Sequence, residues 1–125
     1  METVEDDAHV RALHERYLQA LGQGDMAAVA TLFAYPAVLK GFLDDVVVAT
    51  DAAALQRAYD RLIAAAPKAQ RTDLKGTEVS SLRPGVRMLT MTYRQYDASD
   101  QLLHEGQAVY FMKPVNGSLK MFAVM

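Results

Sequence analysis

The sequence predicts an α+β fold in which three helices near the N-terminal end pack on a mainly antiparallel sheet supplied by the C-terminal half. Three observations carry this expectation. Apolar residues recur at helical spacing as far as Ala66, with breaks at Gly22-Gln23-Gly24 and Tyr35-Pro36. From Ala69 onward the period changes to that of strands. Turn-forming clusters at Arg83-Pro84-Gly85, Asp97-Ala98-Ser99-Asp100 and Pro114-Val115-Asn116-Gly117 then divide the remainder into segments of strand length. With 125 residues, of which 51% are apolar, the chain has the size and core of one domain, 1–125.

The first helix is expected over residues 5–21, where Val10, Leu13, Tyr17, Leu18 and Leu21 make one apolar stripe. Glu5, Asp6 and Asp7 stand at its start, where the helix dipole favours negative charge. Gly22 and Gly24 end it, because glycine accepts the left-handed conformation cheaply. Asp25 suits the N-cap of a second helix, 26–33, whose buried side is Met26, Val29, Ala30 and Phe33. Tyr35-Pro36 should stop it, since a residue before proline avoids the α region.

Short strands are expected over 37–40 and 46–49, joined by Gly41-Phe42-Leu43-Asp44-Asp45. Thr50 or Asp51 caps a third helix marked by Leu55, Tyr59, Leu62, Ile63 and Ala66 and followed by Pro67. Its opposite face, with Gln56, Arg57, Asp60 and Arg61, reads as solvated. Residues 70–82, 86–96, 102–113 and 119–124 then form a four-stranded antiparallel meander. Helices followed by a long run of sheet frame a pocket.

Two of these strands are apolar on both faces. Ala108, Tyr110 and Met112 alternate with Val109 and Phe111, and Met121 and Ala123 alternate with Leu119, Phe122 and Val124. A sheet wetted on one side alternates apolar with polar instead. The helices cover one face. The other asks for a second copy of the chain, a homodimer, or for a sheet curled enough to wrap its own ends.

Composition removes several classes of function. The net charge of −2 offers no basic surface to nucleic acid. The absence of cysteine excludes disulfides, zinc–thiolate sites and a thiol nucleophile, and fits a cytoplasmic protein. The opening METVEDDAHV lacks the apolar centre of a signal peptide, and no apolar run is long enough to span a bilayer. No phosphate loop, GxSxG elbow or dinucleotide fingerprint is present.

RYLQALGQGDMAAVATLF, residues 16–33, is similar to the opening of ketosteroid isomerases: an aromatic residue on the first helix, then Gly-Asp, then an apolar helix ending in Leu-Phe. NGSLKMFAV, residues 116–124, resembles their last hairpin. With the order of elements, these stretches make the chain resemble the nuclear transport factor 2-like superfamily, which includes the isomerases and the SnoaL-like cyclases. The resemblance implies a cone-shaped, curved sheet closed by the helices around a pocket, with dimers formed through the outer sheet face. It puts Tyr17 where the isomerases hold their oxyanion-stabilising tyrosine. Their general base falls on Gly41, which has no side chain, and the acid that partners the tyrosine falls near Ala108. Proton abstraction next to a carbonyl needs a base within reach, so steroid isomerisation is disfavoured unless Asp44 or Asp45 swings in.

The resemblance and strand parity together imply a lining of Tyr17, Tyr35, Ala108, Tyr110 and Met121, with His14 and His104 near the mouth. Three functions remain open: binding of a small apolar molecule, an isomerase, cyclase or lyase using Tyr17 as oxyanion donor, and a non-catalytic dimerisation or protein-interaction module. No cofactor is expected. His9 and His14 point in different directions, so no helical metal pair arises, and His104 reads most simply as a strand-end residue facing away from Glu105. Met88, Met91, Met112, Met121 and Met125 suit either an adaptable pocket or a filled core. Arg87 and Arg94, on opposite faces of one strand, read as solvated edge residues or as a partner for a ligand carboxylate.

Overall fold

Three aspartates start the three helices. The computed structural model describes residues 6–125, so the expected contribution of Glu5 and the reading of the first five residues lie outside it. Asp6 caps α1 (Asp7–Gly22), accepting from the His9 N–H at 2.9 Å. Asp25 caps α2 (Met26–Thr31) through Ala28 N–H at 3.0 Å, and Asp51, not Thr50, caps α3 (Ala52–Ala65) through Ala54 N–H at 2.8 Å. Each such bond satisfies a backbone donor that the helix leaves orphaned, and contributes about 1 kcal/mol. The first helix keeps Gly22 and breaks at Gly24, whose φ of 70° turns the chain into the Asp25 cap.

The second helix ends two residues earlier than expected. The Leu32 carbonyl accepts from Met121 N–H at 2.9 Å, so the sheet captures the backbone there and Phe33 opens a strand. Tyr35-Pro36, expected as a helix stop, therefore lies inside β1 (Phe33–Leu39), with its peptide bond cis. Proline has no ladder donor, and the β1 register slips between Phe33 and Val38 where it sits. β2 (Val47–Ala49), β3 (Arg71–Arg83), β4 (Val86–Tyr96), β5 (Leu102–Val115) and β6 (Ser118–Val124) complete a six-stranded sheet. Its order is β2-β1-β6-β5-β4-β3, antiparallel except where β1 runs parallel to β6. β5 continues through Pro114 and Val115, so the last turn is Asn116-Gly117 alone, with φ of 51° and 81°.

Val10 and Leu13 of α1, Val29 of α2 and Leu55 of α3 are fully buried, as are Leu39, Leu89, Met112 and Met121 of the sheet. This packed core lies over β1, β6 and the neighbouring parts of β4 and β5. β3 is an edge strand, exposed along most of its length, and it carries Lys75 and Glu78 there. Among the described residues no helix is long and apolar enough to cross a membrane.

Candidate functional site

Toward its β3 edge the sheet leaves the packed core and walls a cavity of about 540 Å³. The helical side is Tyr17, Leu18 and Leu21 of α1 and Tyr59, Leu62 and Ile63 of α3, with Gly41 and Phe42 from the loop between β1 and β2. Strand parity and register build the opposite wall in rows. Thr72, Gln95 and His104 are paired across β3, β4 and β5, and all three line the cavity. Leu74, Tyr93 and Gly106 form the next row, Met91 and Ala108 the one after, and Tyr110 lies two residues further along β5.

At the inner end four rings meet. The Tyr17 and Tyr59 hydroxyls are 2.8 Å apart, the Tyr17 and Tyr110 ring centroids 5.3 Å, and Phe33 lies edge-on 6.2 Å from Tyr59. Tyr17, Tyr59 and Tyr110 are each 3% exposed. Burial pushes all three hydroxyls above the ordinary tyrosine range, and for Tyr17 the neighbouring Tyr59 adds to the shift. They are neutral donors at physiological pH. At the mouth, the Tyr93 hydroxyl and His104 Nε2 are 3.1 Å apart, and Phe42 stands edge-on to the His104 ring at 5.5 Å. Gly106 makes that pairing possible, since a Cβ there would fall 2.9 Å from His104 Nε2 and 3.2 Å from the Tyr93 hydroxyl.

Of the residues expected in the lining, the cavity takes Tyr17, Ala108, Tyr110 and His104. Tyr35, Met121 and His14 stand outside it. Tyr35 belongs to β1, across the sheet from the cavity, and its hydroxyl donates to the Ala30 carbonyl at 2.8 Å. Met121 is fully buried on β6, in register with Phe33 and Met112. His14 turns from the cavity to pack against Tyr110 at 4.6 Å, beside a separate space of about 200 Å³ that Arg11, Glu15 and Thr77 also line. It is 3% exposed, its Nε2 has no hydrogen-bond partner, and burial lowers its pKa to about 4.

The methionines divide between the two roles. Met91 and Met125 line the cavity, whereas Met112 and Met121 fill the core. Ile63, expected on the buried face of α3, is exposed at the cavity rim. Arg94 is paired with Glu105, and Arg87 with Asp7, so neither enters the cavity. Asp44 and Asp45 are exposed and do not line it. Gly41 does line it, but its φ is 48°, which side-chain-bearing residues rarely adopt, and a Cβ there would fall 2.6 Å from Leu62 Cδ2, which would have to shift.

Among the described residues no aspartate, glutamate, lysine or arginine side chain contributes to the lining. Among the described residues no group of three or more histidine, aspartate or glutamate side chains is placed to hold a metal ion. Tyr59, Tyr93, Gln95, Gln107 and Thr72, absent from the expected lining, also bring polar atoms to it.

No family model matches the sequence, and no curated protein does. Solved structures do match. A nuclear transport factor 2-like protein of unknown function from Pseudomonas putida superposes with a TM-score of 0.73 at 13% identity, covering 94% of this chain and 82% of its own. A protein of unknown function with a cystatin-like fold from Nostoc punctiforme gives 0.72 at 13% identity over 99% and 92%. A ketosteroid isomerase-like protein from Erwinia carotovora gives 0.69 at 18% identity over 96% and 93%. With its helices, sheet order and cavity, the chain thus has the nuclear transport factor 2-like, or cystatin-like, fold.

Proposed function

We propose that this protein binds a small, largely apolar molecule in the cavity between its helices and β3–β5. The observation that carries the reading is the cavity itself, about 540 Å³ lined by aliphatic and aromatic side chains with a few uncharged polar groups. Small-molecule sites are typically concave, roughly 300–1,000 Å³, mostly apolar and furnished with few polar atoms. Fluorescence titration with a panel of mono- and bicyclic aromatic compounds tests it. Saturable binding that Ala108→Phe or Met91→Trp blocks is expected. A panel without binders, or a crystal structure in which the protein's own side chains fill the space, overturns it.

The buried Tyr17–Tyr59 hydroxyl pair favours a second reading, an isomerase, cyclase or lyase. Two neutral donors held away from water suit a developing oxyanion. His104 places an imidazole on the same lining. The Gly41 geometry argues against the isomerase arrangement of the base. A bell-shaped pH–rate profile that Tyr17→Phe abolishes supports catalysis, and no turnover across a panel of carbonyl substrates removes it.

The outer sheet face supports a homodimer. Phe111 and Phe122 are half-buried there with ring centroids 6.2 Å apart, beside Val109. An aromatic patch of this kind is most cheaply covered by its own copy about a twofold axis. Sedimentation equilibrium should give a dimer that Phe111→Lys converts to monomer. A monomeric wild type at high micromolar concentration rules this out.

A further inference from the structure

The polar groups that line the cavity differ in how they are satisfied. At the inner end the Tyr17 and Tyr59 hydroxyls bond each other. At the mouth Tyr93 and His104 do the same. Gln95, in register between Thr72 and His104, is different: its amide oxygen is covered from solvent and has no hydrogen-bond partner. Orphaned buried acceptors are rare in folded proteins, and each one found asks what completes it. Gln95 lines the cavity, and its terminal torsion is soft, so a modest rotation turns the amide toward a bound molecule.

Resting on the reading of the cavity as a small-molecule site, we infer that its ligand is uncharged and carries a hydroxyl that meets the Thr72–Gln95–His104 row. A hydroxyl both donates and accepts, so it completes the Gln95 amide whichever way its oxygen and nitrogen are turned. The hydroxyl of Thr72 and the ring of His104 flank that amide on the adjacent strands. The rest of the ligand then lies along Leu74, Met91 and Ala108 toward the tyrosine rings. An ionised group has no place here. Among the described residues no lysine, arginine, aspartate or glutamate side chain lines the cavity to compensate the loss of its hydration.

The test uses three probes of one shape: 2-naphthol, 2-methylnaphthalene and 2-naphthoate, titrated by fluorescence. The wild type should bind 2-naphthol about tenfold more tightly than 2-methylnaphthalene, with 2-naphthoate weakest. Gln95→Met should shrink the tenfold gap to within about twofold by weakening 2-naphthol alone. In the unmodified protein, 2-naphthol but not 2-methylnaphthalene should shift the side-chain amide resonances of Gln95. That measurement decides the matter even if Gln95→Met folds poorly. Equal affinity for 2-naphthol and 2-methylnaphthalene, an undiminished gap in Gln95→Met, or tightest binding of 2-naphthoate overturns this inference and leaves the apolar site standing. Failure of all three probes to bind overturns the site and the inference together.

Discussion

The hydroxyls of Tyr17 and Tyr59 lie 2.8 Å apart across the gap between α1 and α3, so the two helices are tied at the inner end of the cavity by a single polar contact within an aromatic cluster. Either phenol can donate. Removing one hydroxyl leaves the other buried without a partner, whereas removing both leaves two apolar rings.

Tyr17→Phe and Tyr59→Phe should each lower stability by about 1–2 kcal/mol, and the double variant should lose less than their sum. Urea denaturation of the four proteins measures the coupling. The same burial sets the alkaline limit. Both pKa values are raised in the folded state, so stability is intact below the ordinary tyrosine pKa and is lost as pH rises above about 10. An upward drift of stability with pH in that range contradicts the assignment.

His14 titrates in the opposite sense. Its folded pKa is lowered to about 4, below the free value, so the unfolded chain binds its proton first. The stability associated with a neutral His14 is present above about pH 6.5 and is lost as pH falls from there toward 4, by up to about 2–3 kcal/mol. His14→Gln should flatten the slope of urea midpoint against pH in that window. A slope unchanged from the wild type would place the titration elsewhere.

Gly41→Ala should destabilise the fold by about 1–2 kcal/mol, since its backbone is left-handed and the new methyl meets Leu62 Cδ2. Gly41→Asp should cost more and should confer no proton-transfer activity on carbonyl substrates. Thermal denaturation with an activity screen checks both, and an active, stable Gly41→Asp protein would show that the loop accepts a base after all.

Gly106→Ala acts at the mouth. Its backbone is not left-handed, so folding should change by under about 1 kcal/mol, but the added methyl pushes Tyr93 and His104 apart. Affinity for aromatic probes should fall by about fivefold or more at nearly constant melting temperature. Unaltered affinity would mean that the Tyr93–His104 pair does not shape the entrance.

Much of the framework is local and was open to reading from the chain. Asp25 and Asp51 cap helices because aspartate oxygens reach a backbone donor three residues on. Asn116-Gly117 turns because those residues accept positive φ. The partnership of β1 with β6 has no such signature: it joins residues far apart in sequence, and only the closed sheet reveals it. The site divides in the same way. Parity along β5 brings His104, Ala108 and Tyr110 to one face, but Gln95 and Tyr93 depend on how β4 registers against it. Counting across the Asp97–Gln101 turn pairs Gln95 with Leu103; an irregularity between Gln95 and Tyr96 shifts the register by one, so that Gln95 meets His104, and no local signal announces it. Tyr59 follows the apolar stripe of α3, where spacing alone does not separate a cavity-facing ring from a packed one.

The placement of β6 between β1 and β5 has a kinetic consequence. Residues 118–124 supply a central strand, holding β1 through bonds such as Met121 N–H to Leu32 O and Lys40 N–H to Val124 O. The strand that follows α2 therefore waits for residues more than 80 positions downstream before its ladder can close. Such non-local closure slows folding relative to a helical bundle of equal size. Until it happens, the β2–β1 hairpin presents an unpaired apolar edge, and a nascent chain halted before Ser118 exposes a surface on which aggregation would begin.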